Sequence, residues 1–286
     1  MVIGKKSLFC FGTGYSAQVI APALIAQGWR VYGSYREKED ARALSAIGVE
    51  PIIFEGAESS LHNIDAILSS VPPGKEGDPV LARYGDILTI KSKNTWIGYL
   101  STTGVYGNTN GAMANEKSIV NPSNERSHWR ALAEKSWLKR SGHIFRLAGI
   151  YGPGRSSLDR LNAGLSRSIH YPGHLFSRIH VEDIAQTVIA SINQPGPGSI
   201  YNVCDDEAIE QQKVEAYAAN LLGMEPPPIM SFKEAALDMS PMVKTFWQDN
   251  RRVDNTKIKN ELGIKLIYPT FREGLKSIHQ SRQSES

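Results

Sequence analysis

At 286 residues the chain is long for one hydrophobic core and short for two independent domains, so one large α/β domain with a smaller lobe is expected. With 41% apolar and 21% charged residues it is not a disordered chain, and a formal net charge of +3 without a dense basic run excludes a dedicated nucleic-acid binder. No stretch is long and apolar enough to span a membrane, and the run from Leu8 to Phe11 is too short for a secretion signal. By elimination the protein is expected in the cytoplasm.

In chain order, short apolar runs alternate with segments of helical period. Residues 7–11 read as a buried strand, 16–27 as a helix, 30–35 as a second strand and 37–47 as a second helix. Strand patterns follow at 51–54, 65–71, 96–100 and 144–147. A helix over 181–192 precedes a last strand at 199–203. Strands alternating with helices predict a parallel sheet covered on both faces. Pro22 falls inside the first helix, where it should kink it. Cys10 and Cys204 lie far apart in apolar runs and are expected as buried, reduced thiols. Breakers at Gly152-Pro153-Gly154 and Tyr171-Pro172-Gly173 divide the chain. Residues 1–152, completed by 176–203, form the expected sheet domain, and 153–175 with 204–286 the expected substrate lobe.

Gly12-Thr13-Gly14-Tyr15-Ser16-Ala17 spells G-x-G-x-x-A between the first strand and the first helix. In that setting the first glycine allows a tight turn and the second lets backbone approach a pyrophosphate at the helix N-terminus. The small third residue lets helix and strand pack closely. A Rossmann-type doubly wound sheet binding a nicotinamide dinucleotide follows. The second strand ends Gly33-Ser34-Tyr35-Arg36, with no acid to take the ribose hydroxyls of NAD. Arg36 suits the extra phosphate of NADP and Ser34 can donate a hydrogen bond, so NADP is expected, with NAD as the alternative. Gly12, Thr13, Gly14, Tyr15, Ser16, Ser34 and Arg36, with Ser70 and Val71 at the end of the 65–71 strand, make the expected cofactor set. No metal is implied.

Several blocks resemble the extended short-chain dehydrogenase/reductases, the NAD-dependent epimerase/dehydratase group. Leu100-Ser101-Thr102-Thr103-Gly104-Val105-Tyr106-Gly107 is similar to its Ser-Ser/Thr-x-x-Val-Tyr-Gly segment, and Arg146 through Gly154 to its Arg-x-x-x-x-Tyr-Gly-Pro-Gly. Ile179 through Ala185 resembles its His-Val-x-Asp-x-Ala stretch; Tyr201-Asn202-Val203 and Glu261-Leu262-Gly263 recur in order. The resemblance covers nearly the whole chain and implies hydride chemistry on a carbonyl or sugar-like substrate, and a homodimer formed through helices.

It also exposes departures. Cys10 and Phe11 stand where the family has Thr-Gly. Thr102 matches the family's catalytic Ser/Thr. Counting back from Glu134, however, puts Arg130 where the family has its lysine and Arg126 where it has its tyrosine, as in atypical members. Arginine stays charged and cannot move a proton near neutral pH. Arg126 can still stabilise an oxyanion, and Arg130 can hold ribose or phosphate oxygens. At 3.6 residues per turn Arg126, Trp129, Arg130, Ala133 and Trp137 share one face, which is expected to be buried. The alternative is two surface charges, with Arg130 paired to Glu134. Tyr106, Tyr151 and His180 lie near strand ends and are expected to be structural. Two functions compete: an NADP(H)-dependent oxidoreductase using Thr102, Arg126 and Arg130, and a non-catalytic dinucleotide-binding sensor or assembly protein that lost the proton relay.

Overall fold

The computed structural model describes residues 5–285. In chain order the elements are β1 (Ser7–Phe11), α1 (Ala17–Ala26), β2 (Arg30–Tyr35), α2 (Lys38–Ala46), β3 (Glu50–Ile53), β4 (Ala66–Ser69), α3 (Pro79–Lys91), β5 (Trp96–Thr102), β6 (Met113–Ala114), α4 (Glu125–Leu138), β7 (His143–Leu147) and β8 (Gly149–Tyr151). There follow α5 (Ser157–Asn162), β9 (Ser168–His170), β10 (Arg178–His180), α6 (Val181–Asn193), β11 (Ile200–Val203), α7 (Gln211–Leu221), β12 (Ile229–Ser231), α8 (Phe232–Ala235), α9 (Pro241–Gln248), β13 (Arg252–Val253), α10 (Thr256–Leu262) and α11 (Phe271–Glu285).

Seven strands form one parallel sheet in the order β11-β7-β5-β4-β1-β2-β3. The chain begins in the middle, winds outward to β3, then crosses back to β4 on the other side of β1. That reversal opens a crevice at the carboxyl ends of β1 and β4, where ligands bind in such sheets.

Side-chain alternation explains why both faces are covered. Leu8 and Cys10 point to one side, into a core with Ile20 and Leu24 of α1 and Ile184 and Val188 of α6. Phe9 and Phe11 point to the other, into a core with Tyr84 and Leu88 of α3 and Trp137 of α4. A strand buried on both sides is mostly apolar, as β1 is from Leu8 to Phe11. Pro22 does lie inside α1, and the helix runs on to Ala26. An interior proline costs about 3 kcal/mol; burial of Ile20, Ala21 and Leu24 around it offsets that cost.

The strand expected over 65–71 stops at Ser69, so Ser70 and Val71 leave the sheet and turn into the crevice. In the smaller lobe α5, α7 and α11 share a core of Leu158, Leu161, Val214, Phe271 and Leu275. α10 instead inserts Ile258 and Leu262 into the sheet's first core beside Val203, so the C-terminal segment serves both parts. Cys10 and Cys204 are buried and unbridged. Among the described residues no helix is long and apolar enough to cross a membrane, and no group of three or more His, Cys, Asp or Glu could hold a metal ion.

Candidate active site

The β1–α1 connection is built around two glycines with different reasons to be glycine. Gly12 has φ +77°, and a Cβ there would meet Ser70 Oγ at 2.9 Å and Val71 Cγ2 at 3.0 Å. Its peptide is pinned from both sides: Gly12 N donates to Ser34 Oγ of β2 at 3.0 Å, and Ser70 Oγ, just past β4, donates to Gly12 O at 2.7 Å. Gly14 is exposed, and a Cβ on it would meet nothing within 4 Å. The protein itself therefore does not require glycine there. The open space in front of it, at the N-terminus of α1, suits an anion that must touch backbone.

A cleft of about 480 Å³ runs from this turn along the ends of β2 and β4. Gly12, Thr13, Gly14, Ser34, Arg36, Ser70 and Val71 of the expected cofactor set all line it. The guanidinium of Arg36 lies 5.3 Å from the centre of the Phe54 ring, which holds the cation on the cleft wall. Phe54, Asp40 and Gln18 also line the cleft and were not expected from the sequence. Two expected residues lie apart from it. Tyr15 directs its hydroxyl to Pro153 O at 3.0 Å, and burial pushes that phenol up to about 12. Ser16 is buried at the start of α1 and makes no side-chain cap.

The second half of the site stands on β5 and α4. Ser101 Oγ donates to Glu134 Oε1 at 2.6 Å, and Glu134 pairs with Arg146 at 2.7 Å, both side chains 3% exposed. Arg146 Nη1 donates to the Tyr106 hydroxyl, which donates in turn to Asn202 Oδ1 at 2.7 Å. This chain ties β5, α4, β7 and β11 together. It leaves the Tyr106 hydroxyl, pushed up by burial, no proton to spare. Tyr151 packs its buried ring on His180, and His180 Nδ1 accepts from Glu182 N, so both serve the junction between sheet and lobe.

Thr102 closes β5. Its Oγ1 accepts from Gly104 N at 3.0 Å, which leaves the hydroxyl hydrogen to donate elsewhere. Ser127 of α4 stands beside it: a Cβ on Gly104 would come within 2.7 Å of Ser127 Oγ and 3.2 Å of Thr102 Oγ1. No motif singles out Ser127, since the family pattern on this helix concerns positions 126 and 130.

The two arginines part company. Arg130 Nη1 donates to Leu100 O at 2.7 Å and to the Tyr99 hydroxyl at 3.0 Å, two residues before Thr102. Glu134 is committed to Arg146 and Ser101, so the surface pair of Arg130 with Glu134 does not form. Arg126 is exposed, with Nη1 2.8 Å from Met242 Sδ of α9 across the gap to the lobe. The α4 face expected to be buried is thus graded: Trp137 and Ala133 lie in the core, Arg130 and Trp129 are half-buried, and Arg126 meets solvent.

No protein-family model matches the chain. It is 27% identical over 283 residues to Protein YeeZ of Escherichia coli (strain K12), with 92% of this chain and 97% of the relative covered. A conserved protein of unknown function from Silicibacter pomeroyi DSS superposes with a TM-score of 0.92 at 45% identity, over 97% of this chain and 99% of the other. The dTDP-glucose 4,6-dehydratase of Bacillus anthracis str. Ames, solved in complex with NAD, superposes with a TM-score of 0.75 at 15% identity, over 98% and 97% of the two chains.

Proposed function

Because the chain belongs to one family with the conserved Silicibacter pomeroyi protein and has the epimerase/dehydratase fold, we propose that it is an NADP(H)-dependent oxidoreductase or epimerase-like enzyme acting on a carbonyl or sugar-like small molecule. The observation that carries this reading is the open space before Gly14, above a Gly12 peptide pinned by Ser34 and Ser70. Backbone is held rigidly there for something that must approach closely. Bound in that cleft, a nicotinamide dinucleotide supplies the hydride chemistry, and the chain supplies orientation and charge. Gly12, Thr13 and Gly14 hold its pyrophosphate at the α1 N-terminus. Ser34 and Arg36 hold the ribose phosphate, and Ser70 and Val71 line the cleft beside Gly12. Thr102 donates its free hydroxyl hydrogen to the substrate oxygen. Arg130, fixed on β5, contributes positive charge behind it, and Arg126 at the mouth stabilises a developing oxyanion. A homodimer belongs to the same reading.

The alternative, a non-catalytic NADP(H)-binding sensor or assembly protein, is favoured by one observation: arginine at positions 126 and 130 cannot exchange a proton. Titration of the purified protein with NADPH and NADH, followed by a scan of aldehydes, ketones and nucleotide sugars for cofactor oxidation, separates the two. NADPH is expected to bind more tightly. Arg36→Ala should lose a charge-assisted contact on the order of 1.5–3 kcal/mol. Equal affinities for the two nucleotides would refute the NADP preference, and tight binding without turnover would support the sensor.

A further inference from the structure

We propose that Arg155 is a further cofactor-binding residue, a cation that meets the bridging pyrophosphate of the dinucleotide from the side opposite the glycine turn. The inference rests on the dinucleotide-binding reading above. Tyr15 follows Gly14, so its side chain leaves from the turn that holds the pyrophosphate. Its hydroxyl reaches Pro153 O at 3.0 Å only because Gly152 lacks a side chain; a Cβ on Gly152 would lie 2.5 Å from that hydroxyl. The ring is therefore fixed between the glycine turn and the 152–155 turn, which is closed by reciprocal backbone bonds between Gly152 and Arg155 at 3.3 and 3.0 Å. The Arg155 guanidinium carbon lies 5.5 Å from the Tyr15 ring centre.

Arg155 is exposed, and none of the ion pairs among the described residues uses it, whereas nearby Arg160 is paired with Glu215. A cation here adds to what the turn supplies. A pyrophosphate diester brings two negative charges, and a helix N-terminus supplies roughly half a positive one. Arg36 is engaged at the far end of the cleft, on Phe54. The aromatic platform presents Arg155 beside the turn with its donors free.

The test measures affinities for NADPH and NADH by fluorescence titration of the full chain and of Arg155→Ala, Arg155→Lys and Arg36→Ala. A phosphate common to both nucleotides predicts that Arg155→Ala weakens NADPH and NADH by the same factor, roughly 10-fold or more. Arg155→Lys should fall between, since it keeps charge but loses the planar stack. Arg36→Ala should weaken NADPH selectively. The unliganded melting temperature of Arg155→Ala should match that of the parent, because the side chain is exposed; should it drop, the lysine variant carries the comparison. Parent binding with an unchanged Arg155→Ala overturns the assignment, as does a loss confined to NADPH, which moves Arg155 to the ribose phosphate. If the parent binds neither nucleotide, the dinucleotide reading itself fails.

Discussion

Gly12 and Gly14 lie two residues apart and answer to different constraints. A side chain at Gly12 would force the left-handed backbone on an L-residue, about 1–2 kcal/mol, and crowd Ser70 and Val71 as well. A side chain at Gly14 would fill only open space. Gly12→Ala should therefore lower the melting temperature of the unliganded protein. Gly14→Val should leave it unchanged yet abolish dinucleotide binding, because its methyl groups occupy the place of the pyrophosphate. Retained binding in Gly14→Val would make the turn merely structural. The G-x-G-x-x-A spacing discloses that these glycines matter. It does not disclose that the Gly12 peptide is pinned by hydroxyls 22 and 58 residues away. Those partners depend on which strands flank β1, and that is a property of the sheet order. Arg36 was legible because a strand end is a local address; Phe54 and Asp40 on the same wall were not, because they arrive from other elements.

At the scale of the element, α4 shows what helical periodicity tells and what it omits. The 3.6-residue spacing does place Arg126, Trp129, Arg130, Ala133 and Trp137 along one stripe. It does not tell how far the first turn overhangs the edge of β5, and that overhang leaves Arg126 in solvent while Trp137 is fully buried. The alternative pairing of Arg130 with Glu134 does not form, since Glu134 turns inward to a buried arginine of β7. The two arginines should therefore respond differently to truncation. Arg130→Ala removes the donor shared by Leu100 O and the Tyr99 hydroxyl and should cost on the order of 1–3 kcal/mol in denaturant titrations. Arg126→Ala should leave stability unchanged. If Arg126 serves as an oxyanion donor, its removal should lower turnover about 10²–10³-fold. Turnover unchanged in Arg126→Ala would exclude Arg126 from the chemistry and leave Thr102, Ser127 and Arg130 as the polar groups of the site.

Across the whole molecule, strands such as β1, β4 and β5 were readable because burial on both faces leaves a mostly apolar run. The short pairs β8–β10, β9–β12 and β6–β13 were not, since two or three residues carry no period. One of these pairs joins sheet and lobe, and it holds a buried histidine that contributes to acid sensitivity. His180, 1% exposed, ends β10, and its ring lies 5.1 Å from that of Tyr151 and 4.0 Å from that of Tyr268. Nδ1 accepts from Glu182 N, so the neutral ring keeps its proton on Nε2, which has no partner. Burial lowers this imidazole from 6.5 to about 4. Above pH 6.5 it is neutral in the folded and unfolded chain alike and contributes nothing to the pH dependence. As pH falls below 6.5 the unfolded chain takes up the proton first, so stability is lost down to about pH 4, by about 3 kcal/mol in all. Asp205 works in the opposite sense, because burial pushes its carboxyl up to about 8 and the folded chain takes up that proton first. The clean measurement is therefore a difference between two proteins. His180→Asn keeps an acceptor for the Glu182 amide at the start of α6 but carries no titrating group. Compared by denaturant titration at pH 7 and pH 4, the parent should lose about 3 kcal/mol relative to this variant. A difference that stays flat between those pH values would mean that the fold accepts a charged imidazole at this junction.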